Sequence, residues 1–155
     1  MSKHSVNEMW ENFLKTLNER KRDQATFEAW PFANDADTAK ELAELVKKGD
    51  KTATCSLYRM YEIGNEPIPT NGQYNVITDW DGNAEVIVQT TKVDVIPFNE
   101  VPKSFAFKEG EGDKSYEYWH RVHVDFFTNE LEVFNEQFHE DMLVVCEEFE
   151  VVYPK

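Results

Sequence analysis

The chain has few cysteines, few glycines and prolines, and a deficit of positive charge. Its two cysteines, Cys55 and Cys146, lie far apart in 155 residues. That excludes a disulfide-stapled scaffold and leaves reduced, packing thiols as the expectation for a chain without an export signal, with Cys55 beside Thr54 near any cleft there. Six glycines and six prolines form no linker or low-complexity tract, and no internal repeat is found. No run approaches the ~18 consecutive apolar residues of a membrane span. The polar stretch from Met1 to Asn7 lacks the apolar core of a signal peptide, so a cytoplasmic protein with no membrane contact is expected.

Lysine and arginine number 16 against 30 aspartates and glutamates, a net charge of −14. A mostly carboxylate surface gains little from releasing counterions, so long duplex DNA is a disfavoured partner. Lys51, Arg59, Lys103, Lys108, Lys114 and Arg121 are the cations available to gather on one face. A small uncharged or singly charged ligand suits the balance better, and the acidity also serves solubility. With 41% hydrophobic and 14% aromatic residues, the chain has material for one respectable core, and its length suggests a single domain.

Ala39, Leu42, Ala43, Leu45 and Val46 recur at helical spacing. Thr38 and Glu41 have the spacing of a capping box, and Gly49 supplies a left-handed stop. Lys51 and Thr54 of the following Gly49-Asp50-Lys51-Thr52-Ala53-Thr54 run thus stand at the mouth of a strand, where Thr52 and Thr54 share a face opposite Lys51 and Ala53. Lys51 is open to two readings, a site residue or a complement to the helix dipole. An earlier helix is expected from Val6 to Arg20, with Ser5 and Glu8 as its capping pair and Val6, Met9, Trp10, Phe13, Leu14 and Leu17 as its apolar stripe.

Thr26 to Phe32 reads as an extended segment that Pro31 keeps from being a central strand, followed by an Asp/Asn-rich loop. Gln73 to Asp79 and Ala84 to Pro97 read as antiparallel strands joined at Asp81-Gly82, a dipeptide suited to two positive φ angles. Leu143 to Tyr153 reads as a long closing strand. Several strands with about three helices, without regular alternation, predict an α+β fold with a small mixed barrel.

The run from Phe105 to Asp113 reads as a glycine-interrupted acidic loop, whose carboxylates are candidates for acid/base work. A helix is expected to start at an Asp113 cap and to set Tyr116, Trp119, His123 and Phe126 on one face. On that aromatic stripe His123 is open to a core role and a site role. His120 and His123 have a chelating spacing, but no third ligand completes a zinc site, and the acidic loop lacks calcium-loop spacing. No metal and no cofactor are expected.

In order, these parts resemble a known family. The helix ending in Gly-x-Lys-Thr-x-Thr, the turn after Tyr61 with Pro67 and Pro69, the hairpin, Val93 to Phe98, Ala106-x-x-Glu109-Gly110, Trp119-x-x-x-His123-x-x-Phe126-Phe127 and the terminal strand are similar to the ASCH domain, of its larger bacterial sort, over roughly Trp30 to Tyr153. The resemblance implies a PUA-like barrel over residues 25–155, with residues 1–24 as an extra helix packed on it. It also implies a cleft for a nucleoside or RNA, single-stranded or structured. Some small members are amidohydrolases of N4-acylated cytidine, and others bind or cleave RNA.

Carried over, the family's cleft lysine falls on Lys51, its threonine on Thr54 and its glutamate on Glu109, or on Glu111 if the loop alignment slips by two. Three chemistries stay open. Lys51 takes the Thr54 proton while Glu109 orients it or protonates the leaving amine; Lys51 is itself the nucleophile; or a charged Lys51 stabilises an oxyanion while Glu109 activates water. The competing classes are a binding module, in which Lys51 meets a phosphate and Trp30, Tyr58 or Tyr61 stacks a base, and a ribonuclease using Lys51 and His123. The acidic insertion Glu111 to Asp113 departs from the small members and borders the same cleft. The sequence does not fix an oligomeric state.

Overall fold

The computed structural model describes residues 2–33 and 35–154, with side chains from residue 4 onward; Asn34 of the expected Asp/Asn-rich loop lies outside them. In chain order the elements are α1 (Ser2–Leu14), α2 (Glu19–Gln24), β1 (Phe27–Pro31), α3 (Ala36–Lys48), β2 (Ala53–Leu57), α4 (Tyr58–Gly64), β3 (Tyr74–Thr78), β4 (Ala84–Pro97), α5 (Lys103–Glu109), α6 (Tyr116–Glu132) and β5 (Leu143–Tyr153). The three expected helices correspond to the long ones, α1, α3 and α6. Between them come three short helices of six or seven residues. The hydrogen-bonded strand order is β1-β3-β4-β5-β2.

The chain divides into two compact units, one made of the chain up to Asp50, Asn71–Thr91 and the chain from Phe149 onward, the other of Lys51–Thr70 and Lys92–Glu148. In the first, β1 lies parallel to β3, which pairs antiparallel with β4. Successive β3 side chains point to opposite faces. Val76 and its partner Ile87 pack under Val6, Trp10 and Phe13 of α1, while Ile77 and Val86 pack under Leu42, Ala43 and Val46 of α3. Pro31, which lacks an N–H, is tolerated because β1 is an edge strand.

In the second unit, β2 pairs antiparallel with β5, Cys55 directly opposite Cys146. Ala53, Cys55, Leu57, Val144 and Cys146 share a core with Phe105 and Ala106 of α5 and Trp119, Phe127 and Leu131 of α6. This half of β5 is buried on both faces, from Val144 to Glu147. Gly49 does end α3 in the left-handed region, at φ 83°.

Local details differ from expectation where a nearer side chain takes the cap. Asp35, not Thr38, caps α3, its Oδ1 accepting from the Thr38 N–H at 2.8 Å. Ser5 lies inside α1, its Oγ accepting from the Ala84 N–H. The chain breaks after Leu14 because Asn18 caps a separate α2. Ser115, not Asp113, caps α6, while Asp113 accepts from the Ser115 N–H. In the β3–β4 turn only Gly82 has positive φ, and the Asp79 carboxylate organises the loop by accepting from the N–H groups of Asp81 and Asn83. The expected loop from Phe105 is helical as far as Glu109.

Phe13 is 2% exposed and joins α1 to the sheet, so Phe13→Ala should lower unfolding stability by about 3–5 kcal/mol. Urea melts should show Val133→Ala, at a site 78% exposed, within about 0.5 kcal/mol of the parent. Equal losses would overturn this packing.

Candidate active site: a buried lysine between two glutamates

The left-handed Gly49 turns the chain out of α3, and the Thr52 N–H donates to the Lys108 carbonyl at 2.8 Å, tying the start of β2 to α5. Lys51 is thereby directed inward, only 2% exposed. Its Nζ donates to Glu109 Oε2 and to Glu111 Oε2, each at 2.8 Å. Glu109 reaches it from the last turn of α5, which stops at the left-handed Gly110. Glu111 comes from the loop beyond, where Gly110, Gly112 and Lys114 all have positive φ.

α6 closes the cluster from the other side. Trp119 and His123, four residues apart and so on one helical face, both address Glu109 Oε1, Trp119 Nε1 at 2.9 Å and His123 Nε2 at 3.1 Å. Their rings stack with centroids 4.4 Å apart. His123 Nδ1 lies 2.8 Å from the Trp119 carbonyl. A carbonyl and a carboxylate only accept, so both ring nitrogens must carry hydrogen for both contacts to be hydrogen bonds, and the ring is then an imidazolium.

Four ionisable groups buried together shift one another. Burial works against the Lys51 ammonium, but the Glu109 and Glu111 carboxylates outweigh it and raise its pKa, so the lysine stays charged. Burial also opposes the Glu109 carboxylate, but Lys51 and His123 overcome it and hold it well below the usual range. Glu111 shifts the other way, because burial, reinforced by the Glu109 charge, exceeds the pull of Lys51. His123 is raised, its desolvation outweighed by Glu109. Burial, chiefly, pushes the Cys55 thiol well up.

Lys51, Glu109, Glu111 and His123 are therefore together. Thr54 is not part of that cluster: β2 alternates buried and half-buried residues, and half-buried Thr54 pairs across the ladder with Glu147. Tyr58 and Tyr61 line a separate pocket under α4. Trp30 belongs to the other unit, where its Nε1–H donates to Asn75 Oδ1 at 2.9 Å. The sequence reading overlooked Trp119 as a donor; its place one helical turn before His123 was the available signal.

The two histidines diverge, His120 reaching Glu140 at 2.7 Å. The ligands that do gather at His123 come from elsewhere in the chain: Cys55 Sγ and a Glu109 oxygen lie with it inside a 4.8 Å cluster. That donor set suits a soft cation, but its carboxylate is committed to Lys51 and His123 and its thiol is held protonated.

Fold and site define a small α+β domain built around a charged lysine enclosed by carboxylates, and among the described residues no helix is long and apolar enough to cross a membrane. The chain belongs to the ASCH domain family, whose model matches residues 28–153. The crystal structure of an ASCH domain from Lactobacillus crispatus is 36% identical over 97% of this chain and 95% of its own, with a TM-score of 0.92. A protein of Enterococcus faecalis V583 is 38% identical over 96% of this chain and 88% of its own, at TM-score 0.86. A third solved structure, of a hypothetical protein, is 23% identical over 81% and 97% at TM-score 0.53, a likeness of fold alone. No curated protein matches. The α+β, PUA-like barrel fold expected from the sequence is the fold of this family.

A Cβ on Gly112, at φ 57°, would lie 2.5 Å from a ring carbon of Tyr118. Gly112→Ala should therefore displace Glu111 from Lys51 and return the Glu111 titration toward that of an ordinary carboxyl near 4.5. Carboxyl NMR through a pH series checks this, and an unmoved Glu111 would sink it. His123, raised above its ordinary 6.5, stabilises the fold fully below that value and loses the contribution as pH rises through the higher folded one. His123→Phe should flatten the decline in urea midpoint on the alkaline side of pH 6.5. A decline of the same slope in the variant would assign the effect elsewhere.

Proposed function

We propose that the protein is a nucleoside amidohydrolase acting on an N4-acylated cytidine, with Lys51, Glu109 and Glu111 as its reacting groups. One observation carries the reading: two carboxylates touch the same buried ammonium, and their pKa values are pushed in opposite directions. Such divergence separates a fixed charge from a proton carrier. Glu109, deep and three times hydrogen-bonded, keeps Lys51 charged. Glu111, with 16% of its side chain exposed against 1% for Glu109, takes the proton of an attacking water. The new bond joins that water oxygen to the acyl carbon, and the Lys51 ammonium stabilises the oxyanion. Glu111 then returns the proton to N4 as the C–N bond breaks, leaving cytidine and a carboxylic acid.

This arrangement favours the charged-lysine chemistry. A base role for Lys51 toward Thr54 requires a neutral amine where two carboxylates hold it charged, and Thr54 alternates onto the other side of β2. Thr54 is left a place in holding the ligand. A phosphate-binding role is disfavoured because the Glu109 and Glu111 carboxylates beside Lys51 repel a phosphate, in a chain of net charge −14, whereas the oxyanion forms only once Glu111 has taken up a proton. A ribonuclease role for His123 has no free ring nitrogen to work with. RNA recognition remains the second reading, favoured by the PUA-like family fold, although fold alone carries no activity.

Chromatography of N4-acetylcytidine incubated with the protein should show cytidine released. Glu111→Gln should slow release by about 10²–10⁴-fold, while Thr54→Val retains measurable turnover. Loss of turnover in Thr54→Val with Glu111→Gln unaffected would restore the threonine nucleophile. No release at high protein concentration would remove this substrate and shift weight to RNA.

A further inference from the structure

α4 follows β2 without a break, and Tyr58 and Tyr61, three residues apart, project from one side of it. The left-handed Asn65 ends the helix at φ 52° and turns Pro67 and Ile68 back toward those rings. Together with Glu62 and Glu66 they line an open pocket of about 360 Å³, within the range of small-ligand sites, roughly 300–1,000 Å³. The Tyr61 ring is fixed beforehand, since its hydroxyl shares a 2.8 Å hydrogen bond with Ser56 Oγ. Pre-ordered aromatic walls lower the entropy lost on binding.

We infer that this pocket is a second ligand site, which takes a planar ring presenting N–H donors, such as the amino-bearing base of cytidine, adenosine or guanosine. Tyrosine faces and Ile68 offer stacking surface to any base. Selection comes from the carboxylates: Glu66, together with Glu62 beyond its 3.6 Å pair with Arg59, accepts from exocyclic amino groups and repels phosphate. Among the described residues no lysine or arginine lines the pocket; neighbouring Arg59 is bound in a two-pronged pair to Glu136 at 2.9 Å and reaches Glu62 more loosely, at 3.6 Å. Uridine, with one ring N–H between two carbonyls, fits that rim worse.

The site is distinct from the lysine cluster. None of the residues that line it belongs to the Lys51 cluster. The shared chemistry fits either a free nucleoside or a base in single-stranded RNA.

Calorimetric titration of the full chain with cytidine, guanosine, adenosine, uridine and a cytidine trinucleotide tests this. The amino-bearing nucleosides should bind more tightly than uridine. Tyr58→Ala should weaken them by about tenfold or more, Tyr58→Phe should restore them, and Glu62→Gln with Glu66→Gln should erase the preference over uridine. Glu111→Gln should slow N4-acetylcytidine turnover yet leave this binding in place, so failure of one site is separable from failure of the other. Equal affinity for nucleoside and trinucleotide identifies a free-nucleoside site; a much tighter trinucleotide identifies RNA. No binding by the wild type, or binding indifferent to Tyr58→Ala in a folded variant, overturns the proposal.

Discussion

The second unit is organised around one ammonium group withdrawn from water. Desolvating a lysine costs several kcal/mol even after relaxation, and only close, well-directed carboxylates offset it. Lys51 has two such partners at 2.8 Å, and several local features serve to deliver them. Gly49 and the Thr52–Lys108 hydrogen bond aim the lysine. Gly110 ends α5 so that Glu109 sits in its last turn, and Gly112 lets the chain pass against the Tyr118 ring with Glu111 turned inward. Each of those glycines occupies a left-handed conformation that a side chain would strain.

Signals confined to a few adjacent residues were legible in the sequence. The β5 strand, the Gly49 stop, the apolar stripes of α1 and α3, and the facing of Lys51 against Thr52 and Thr54 all follow from period and local propensity. Choices between competing neighbours were not. Asp35 and Ser115 capture the caps that Thr38 and Asp113 could have held, because the first carboxylate or hydroxyl in reach of the free N–H groups takes them. α4 and α5 have no side-chain cap hydrogen bond and span only two turns, so they announce themselves weakly and depend on packing.

The candidate site was half legible for the same reason. Lys51, Glu109 and Glu111 emerged from motif order, and the sequence left open which glutamate faces the lysine; in the folded chain both do. The opposition between a charged lysine and a basic one could be stated but not resolved from sequence, since it turns on distances between residues some 60 positions apart. Thr54 shows the reverse case. Strand alternation sets it on the face opposite Lys51, while motif order offers the two as a reacting pair, so these signals conflict within the sequence itself.

Lys51 is positive and Glu109 negative, so those two charges cancel. Glu111 and His123 are both raised, and one proton assigned between them gives either a carboxylate with an imidazolium or a carboxylic acid with a neutral imidazole. The cluster is neutral in both states, and its buried charge does not change when the proton moves. Transfer of that proton between Glu111 and His123 therefore carries no penalty for creating a net charge in the interior. The alkaline fate of His123 and the proton affinity of Glu111 are thus one coupled property of the pair. A substitution at His123, which never meets the ligand in this scheme, should alter the pH profile of turnover as well as that of stability.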